Sequence, residues 1–167
     1  MENQEIDWLA LKIPKTLPGA KRLQIELFKF HRLNPSQYVS AEPRDDSLFE
    51  CRCSVLGPVG SVYEKGRFYI DVDFSRACPF VAPKFIFTTP IYHCNFGARG
   101  EIDLHTLVGK WNSGITVSNV LWSIFYLMAK CNPDNPVRPG IAQECKENRD
   151  AHDYTCCLHN KYYAIRD

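Results

Sequence analysis

Thiols and imidazoles are the groups in this sequence that first invite a chemical reading. Eight cysteines, Cys51, Cys53, Cys78, Cys94, Cys131, Cys145, Cys156 and Cys157, are spread along the chain with no Cys-x-x-Cys pair and no regular interval. That pattern favours free thiols packed as small apolar groups, with metal or redox use as the alternative. His152, Cys156 and His159 recur at i, i+4 and i+7, which on a helix places three metal-ligand types on one face. No fourth ligand stands near them and Asn, Lys and Tyr surround them. Ordinary exposed histidines around a buried thiol are therefore expected, with no metal and no other cofactor. His93, Cys94, Asn95 and Asp103 fall in a stretch from Pro90 to Ile115 that lacks any sustained hydrophobic period. A segment this long without regular structure in a compact domain is usually functional.

The surrounding elements must hold that stretch in place. Pro18-Gly19 opens a helical run to about Leu33, with Leu23, Leu27 and Phe30 on its core stripe and Ile25 and Phe28 off it. Cys51, Cys53 and Val55 alternate with Arg52 and Ser54. Phe68, Ile70, Val72 and Phe74 alternate with Arg67, Tyr69, Asp71 and Asp73, which is the clearest strand signal in the chain. Lys84 to Thr88 reads as a further strand, completing an antiparallel meander of about four. Thr116 is placed to cap an amphipathic helix whose Val117, Val120, Leu121, Ile124, Leu127 and Met128 share one face. The prolines between Asn132 and Pro139 end it, and helices over about 139–148 and 150–164 follow. The order helix, four strands, long loop and three helices is an α+β architecture. Residues 1–18 stand apart as an N-terminal extension, read as a disordered leader or a short docking segment, because Pro14 and Pro18 break any long helix. Residues 19–167 form one core domain.

Composition narrows the function classes. The chain has 167 residues, 45% of them apolar, which suffices for one core. A formal net charge of +1 supplies no global field toward nucleic acid or anionic lipid. No apolar run approaches the roughly 20 residues of a membrane helix. Met1 to Asp7 is acidic and polar, unlike a secretory signal. A cytoplasmic or nuclear location is expected, where thiols stay reduced.

Several local motifs share one order and spacing. Gly57-Pro58 and Pro79-Phe80 come first, then Tyr92-His93-Cys94-Asn95 and Gly100-Glu101-Ile102-Asp103-Leu104. Trp111 with Thr116-Val117-Ser118 follows, and then Asn132-Pro133-Asp134-Asn135-Pro136. Together they resemble the ubiquitin-conjugating enzymes, and the likeness runs from about Ala20 to Ile165, near the class built from the catalytic domain alone. The family writes Tyr-His-Pro-Asn, Gly-x-Ile-Cys-Leu, Trp-(x)4-Thr-Ile-Ser and Asn-Pro-Asp-Asp-Pro at these places. The resemblance puts Asp103 at the position of the nucleophilic cysteine. It puts Asn95 at the oxyanion-stabilising asparagine, His93 at the residue that braces the same turn, and Asn135 at an acid that positions or deprotonates the incoming lysine. His105 stands where close relatives carry an acid.

The family holds ubiquitin as a thioester, which needs a thiolate as nucleophile and leaving group. An aspartate with an ordinary pKa near 3.9 is ionised at neutral pH. Its carboxylate attacks a thioester poorly and would give an anhydride that water destroys. No catalytic residue is therefore expected, and Asn95 and His93 are read as loop braces. Cys94, in place of the motif's proline, is the candidate substitute nucleophile, though nine residues before Asp103 it is expected to point elsewhere.

The resemblance also implies partner faces. Phe80 matches the apolar anchor for ligases and Pro79 precedes it. Ser113 lies in Asn112-Ser113-Gly114, which replaces Ser-Pro-Ala of the second docking loop. Ile25 and Val81 replace basic residues, which weakens steering toward acidic partners. Ser40 matches the backside position where relatives bind ubiquitin non-covalently. The expected function is a catalytically inactive binding or regulatory module in the ubiquitin pathway. Its expected partners are ubiquitin or a ubiquitin-like protein, a ligase or an active conjugating enzyme. The alternatives are an active conjugating enzyme using another cysteine, and a diverged duplicate with little retained role.

Overall fold

The computed structural model describes residues 18–33, 37–44 and 47–166. Helix α1 (Pro18–Leu33) starts on a proline, whose missing N–H costs nothing in a first turn. Leu23, Leu27 and Phe30 are buried on its core stripe, while Ile25 and Phe28 stay outside it. Gly19 has a packing reason: a Cβ there would collide with the Cys78 carbonyl, so α1 begins hard against the loop that carries Phe80. The reading of residues 1–18 as an extension lies, Pro18 apart, outside the described residues.

The sheet is the expected meander. β1 (Val39–Arg44), β2 (Ser47–Leu56), β3 (Gly66–Asp73) and β4 (Lys84–Phe87) pair antiparallel in sequence order. Val55 faces Phe68 and Cys53 faces Ile70, so the alternation read in β3 places its apolar half on the core. Lys65 takes a positive φ of 65° in the turn before β3. A two-residue strand at the C-terminus, β5 (Ile165–Arg166), adds to β3 at Gly66 and Arg67.

The long stretch is more ordered than its sequence promised. Glu101 makes a bridge to Ile86, and a five-residue helix, α2 (Leu104–Val108), follows Asp103. Helix α3 (Val117–Ala129) buries Val117, Val120, Leu121, Ile124 and Met128 against the sheet, while Leu127 lies at the margin of the core. Its N-terminus is a capping box in which Asn119 answers Thr116. Helix α1 adds a second anchor: Glu26 Oε1 accepts the Val117 N–H, and burial raises the Glu26 pKa. Helices α4 (Pro139–Glu147) and α5 (Arg149–Tyr163) turn a corner at Asn148. The Asn148 N–H closes α4 on the Glu144 carbonyl while its side chain caps α5 at Ala151. Asn160 then donates to the Val62 and Glu64 carbonyls, fastening α5 to the β2–β3 turn.

Candidate functional site

The segment Tyr92–Asn95 is held from within. The Asn95 N–H donates to His93 Nδ1 at 3.0 Å, so the ring hydrogen sits on Nε2 and donates to the Leu127 carbonyl at 3.1 Å. His93 is 1% exposed and rests on Phe96, with ring centroids 4.5 Å apart. Burial in this apolar setting lowers its pKa to about 4. It is a neutral brace at pH 7.

Asn95 spends its amide on a distant loop. Its Nδ2 donates to the carbonyls of Asn132 (2.7 Å) and Asn135 (3.0 Å), and its Oδ1 accepts the Asn132 N–H at 2.8 Å. The Cys94 thiol is 3.3 Å from the same oxygen. With 4% exposure and both amide hydrogens engaged, Asn95 staples the 132–135 loop to the Tyr92–Asn95 turn. Asn135 contributes its main-chain carbonyl here and keeps an exposed side chain. Cys94 is 0% exposed, packed with Ile141 and Ala142, and its thiol pKa is raised.

Asp103 occupies a different setting. The backbone leading to it is pinned to edge strand β4 by Phe87 N–H to Gly100 O (2.8 Å) and Ile102 N–H to Phe85 O (3.2 Å). Gly100 has φ +86° and no room for a Cβ beside the Phe87 carbonyl. Asp103 itself is exposed and extended (φ −78°, ψ 100°), and it is the N-cap of α2. Its Oδ1 accepts the His105 N–H at 3.0 Å and its Oδ2 accepts the Thr106 hydroxyl at 2.7 Å. The Thr106 hydroxyl first, then the backbone amides, hold the carboxyl below its usual range. The group is an engaged carboxylate at neutral pH. Among the described residues no hydrogen bond joins it to His93 or Asn95.

Around this centre, three segments are tied into one face. The Trp111 indole donates to the Pro79 carbonyl at 2.9 Å, and Arg22 of α1 donates to the Ser113 carbonyl. Phe80 is 82% exposed beside Pro79, with Val81 next to it and Ile25 exposed on α1. Ser40 lies on the sheet's outer face, half-buried, with its hydroxyl 2.8 Å from that of Ser54. Asp71 sits on the same face between Arg44 (3.1 Å) and Arg52 (3.4 Å).

The C-terminal histidines depart from expectation. His152 is 2% exposed rather than at the surface, because Tyr92 packs against it and Asp153 bonds its Nδ1 at 2.8 Å. Cys156 is buried beneath Tyr63 and the Tyr92 carbonyl, with its thiol pushed up to about 12 by burial. Among the described residues no three His, Cys, Asp or Glu side chains are grouped to hold a metal ion. No described helix is long and apolar enough to cross a membrane.

Sequence reasoning missed Arg22, Glu26 and Thr106. The signal for Thr106 was present, since an aspartate at N-cap with a hydroxyl three residues on is a helix start. Arg22 and Glu26 gave none, because their partners lie 91 residues away.

Comparison with known proteins matches this geometry. The ubiquitin-conjugating enzyme family model matches residues 22–158, and the chain belongs to that family. A candidate ubiquitin conjugating enzyme from Plasmodium yoelii superposes with a TM-score of 0.82 at 30% identity, over 90% of this chain and 97% of that one. The E2 domain of a Toxoplasma gondii ubiquitin conjugating enzyme gives 0.78 at 29% identity, over 87% and 98%.

Proposed function

We propose that this chain is a member of the family that has left thioester chemistry and works as a binding or regulatory module in the ubiquitin pathway, in the cytoplasm or nucleus. The observation that carries the reading is Asp103. Where the family resemblance places the sulfur nucleophile, the chain carries an ionised carboxylate whose two oxygens are occupied in capping a helix. A carboxylate lowered in pKa is a weaker nucleophile still, and an acyl group on it would be an anhydride open to water. Cys94 does not take over, since it is buried, protonated and packed against α4. Asn95, the family's oxyanion donor, has both hydrogens committed to the 132–135 loop.

What remains exposed is a set of surfaces. Phe80, Val81 and Ile25 offer an apolar face braced by Trp111 and Arg22, suited to the groove of a ligase-type partner. The outer face around Ser40 is the second candidate, for ubiquitin or a ubiquitin-like protein. An active conjugating enzyme is the remaining candidate partner.

The test is direct. Incubation with activating enzyme, ATP and ubiquitin is expected to leave the chain uncharged on a non-reducing gel. A band shifted by one ubiquitin and removed by reductant would overturn the reading. Asp103→Cys separates the causes: charging by this variant shows that only the nucleophile was lost, and failure shows that the altered α1 and loop faces no longer engage the activating enzyme.

A further inference from the structure

Three thiols converge where the end of α3 meets α4. Cys131 follows the C-cap of α3, and Cys145 lies near the end of α4. Their sulfurs are 3.7 Å apart although fourteen residues separate them. Cys94 lies beside Cys131, and Arg149 donates from Nη1 to the Cys145 sulfur at 3.3 Å. Cys51 offers a contrast: it sits on the inner face of β2 with its thiol pushed up to about 12 by burial.

Within the cluster the protons are unevenly shared. Cys94 has one thiol hydrogen and two acceptors for it, Asn95 Oδ1 and the Cys131 sulfur. The hydrogen bond from Cys94, then that from Cys145, and the charge of Arg149 draw the Cys131 thiol below its ordinary value against the effect of burial. Cys94 and Cys145 move the opposite way and keep their protons. Cys131 is also partly exposed, whereas Cys145 is buried. An accessible sulfur poised as thiolate beside a protonated partner is the arrangement of an attacking and a resolving thiol.

We infer that Cys131 and Cys145 form a redox-sensitive pair that closes to a disulfide under peroxide, with Cys131 attacking and Cys145 resolving. The Cys131 thiolate attacks one oxygen of hydrogen peroxide, the O–O bond breaks, and hydroxide leaves a sulfenic acid on Cys131. The Cys145 sulfur then attacks the sulfenic sulfur and the S–O bond breaks. The departing oxygen leaves as water, taking up the Cys145 proton. The hydroxide takes up the proton that Cys131 released on ionising, so two thiols are oxidised, two electrons pass to peroxide and two waters result. A disulfide is about 2.05 Å long, so the sulfurs, now 3.7 Å apart, must close by roughly 1.7 Å for the bond to form. The bond fastens the loop that Asn95 holds to α4, and so couples oxidation to the active-site turn.

The experiment uses the full chain, reduced, freed of reductant and treated with hydrogen peroxide. Intact mass and non-reducing peptide mapping are expected to show loss of two hydrogens and one cross-linked peptide joining Cys131 to Cys145, reversed by dithiothreitol. Cys145→Ser should halt the reaction at a Cys131 sulfenic acid that dimedone traps, and Cys131→Ser should abolish the cross-link. Cross-linking through Cys94 or Cys157 instead overturns the assignment. So does a Cys131 that still alkylates fully after peroxide has oxidised free cysteine in the same tube. The map of the unmutated protein decides this without any variant having to fold.

Discussion

Asn95 and Asp103 lie on the same stretch of chain, and the fold treats them differently. Asn95 is enclosed and uses its whole amide to hold a loop 37 to 40 residues further on. Asp103 is exposed, and among the described residues its carboxylate bonds to the two residues that follow Leu104. The difference explains which features of the family pattern this chain keeps. Asn95 and His93 have a structural function independent of turnover, since removing either leaves buried polar groups without partners. Position 103 carries no such burden, and the chief local demand there is a side chain that starts a helix. Aspartate meets that demand well.

The contrast can be broken by substitution on both sides. Asn95→Ala strips partners from the Asn132 N–H and from two carbonyls, and about 4 kcal/mol of stability should disappear in urea or thermal unfolding. A loss near that of an ordinary surface change would mean the loop has other anchors.

Acid acts next, through His93. The unfolded chain takes up a proton near pH 6.5, whereas the folded chain resists until about 4. Between these values the unfolded state binds more protons, so stability falls as pH is lowered through that window. The His93 contribution should reach about 3 kcal/mol by pH 4, from about 1.4 kcal/mol per pKa unit. The unfolding midpoint followed against pH checks it, and His93→Gln should flatten that part of the curve.

Asp103→Ala removes a helix cap and should cost only about 1 kcal/mol, with Asp103→Asn nearly neutral because asparagine also caps. If Asp103→Ala proves as damaging as Asn95→Ala, the two positions are not the separate regimes described above. Smallest of all, Phe80→Ala should change stability by less than about 0.5 kcal/mol, since the ring packs on little. The same variant should lose binding to a ligase-type partner in a pull-down, and retained binding would turn attention to the Ser40 face.

Much of this was legible in the residues. Strict alternation over Arg67–Phe74 and the apolar stripe from Val117 to Met128 carry enough repeats to define β3 and α3, and the motifs in order pointed to the family. Helix α2 escaped because five residues show no period, and β5 because two residues make no pattern. His152 read as exposed because Asn, Lys and Tyr stand around it and its neighbours on that helix. Its burial comes from Tyr92, which reaches it from the turn that carries His93 and Asn95. The uses of Asn95 and Arg22 were hidden for a different reason. Their partners are far away in sequence, and a single chain read along its length does not show which distant carbonyls meet an amide.

The frame around Phe80 has a consequence for how a partner perceives this molecule. Gly19 and Arg22 come from the first helix, while Trp111 and Ser113 come from the far end of the long loop. A fragment truncated before Trp111, or a partly unfolded chain, therefore presents the phenylalanine without its setting. A binder that requires the whole face registers completed folding as well as identity.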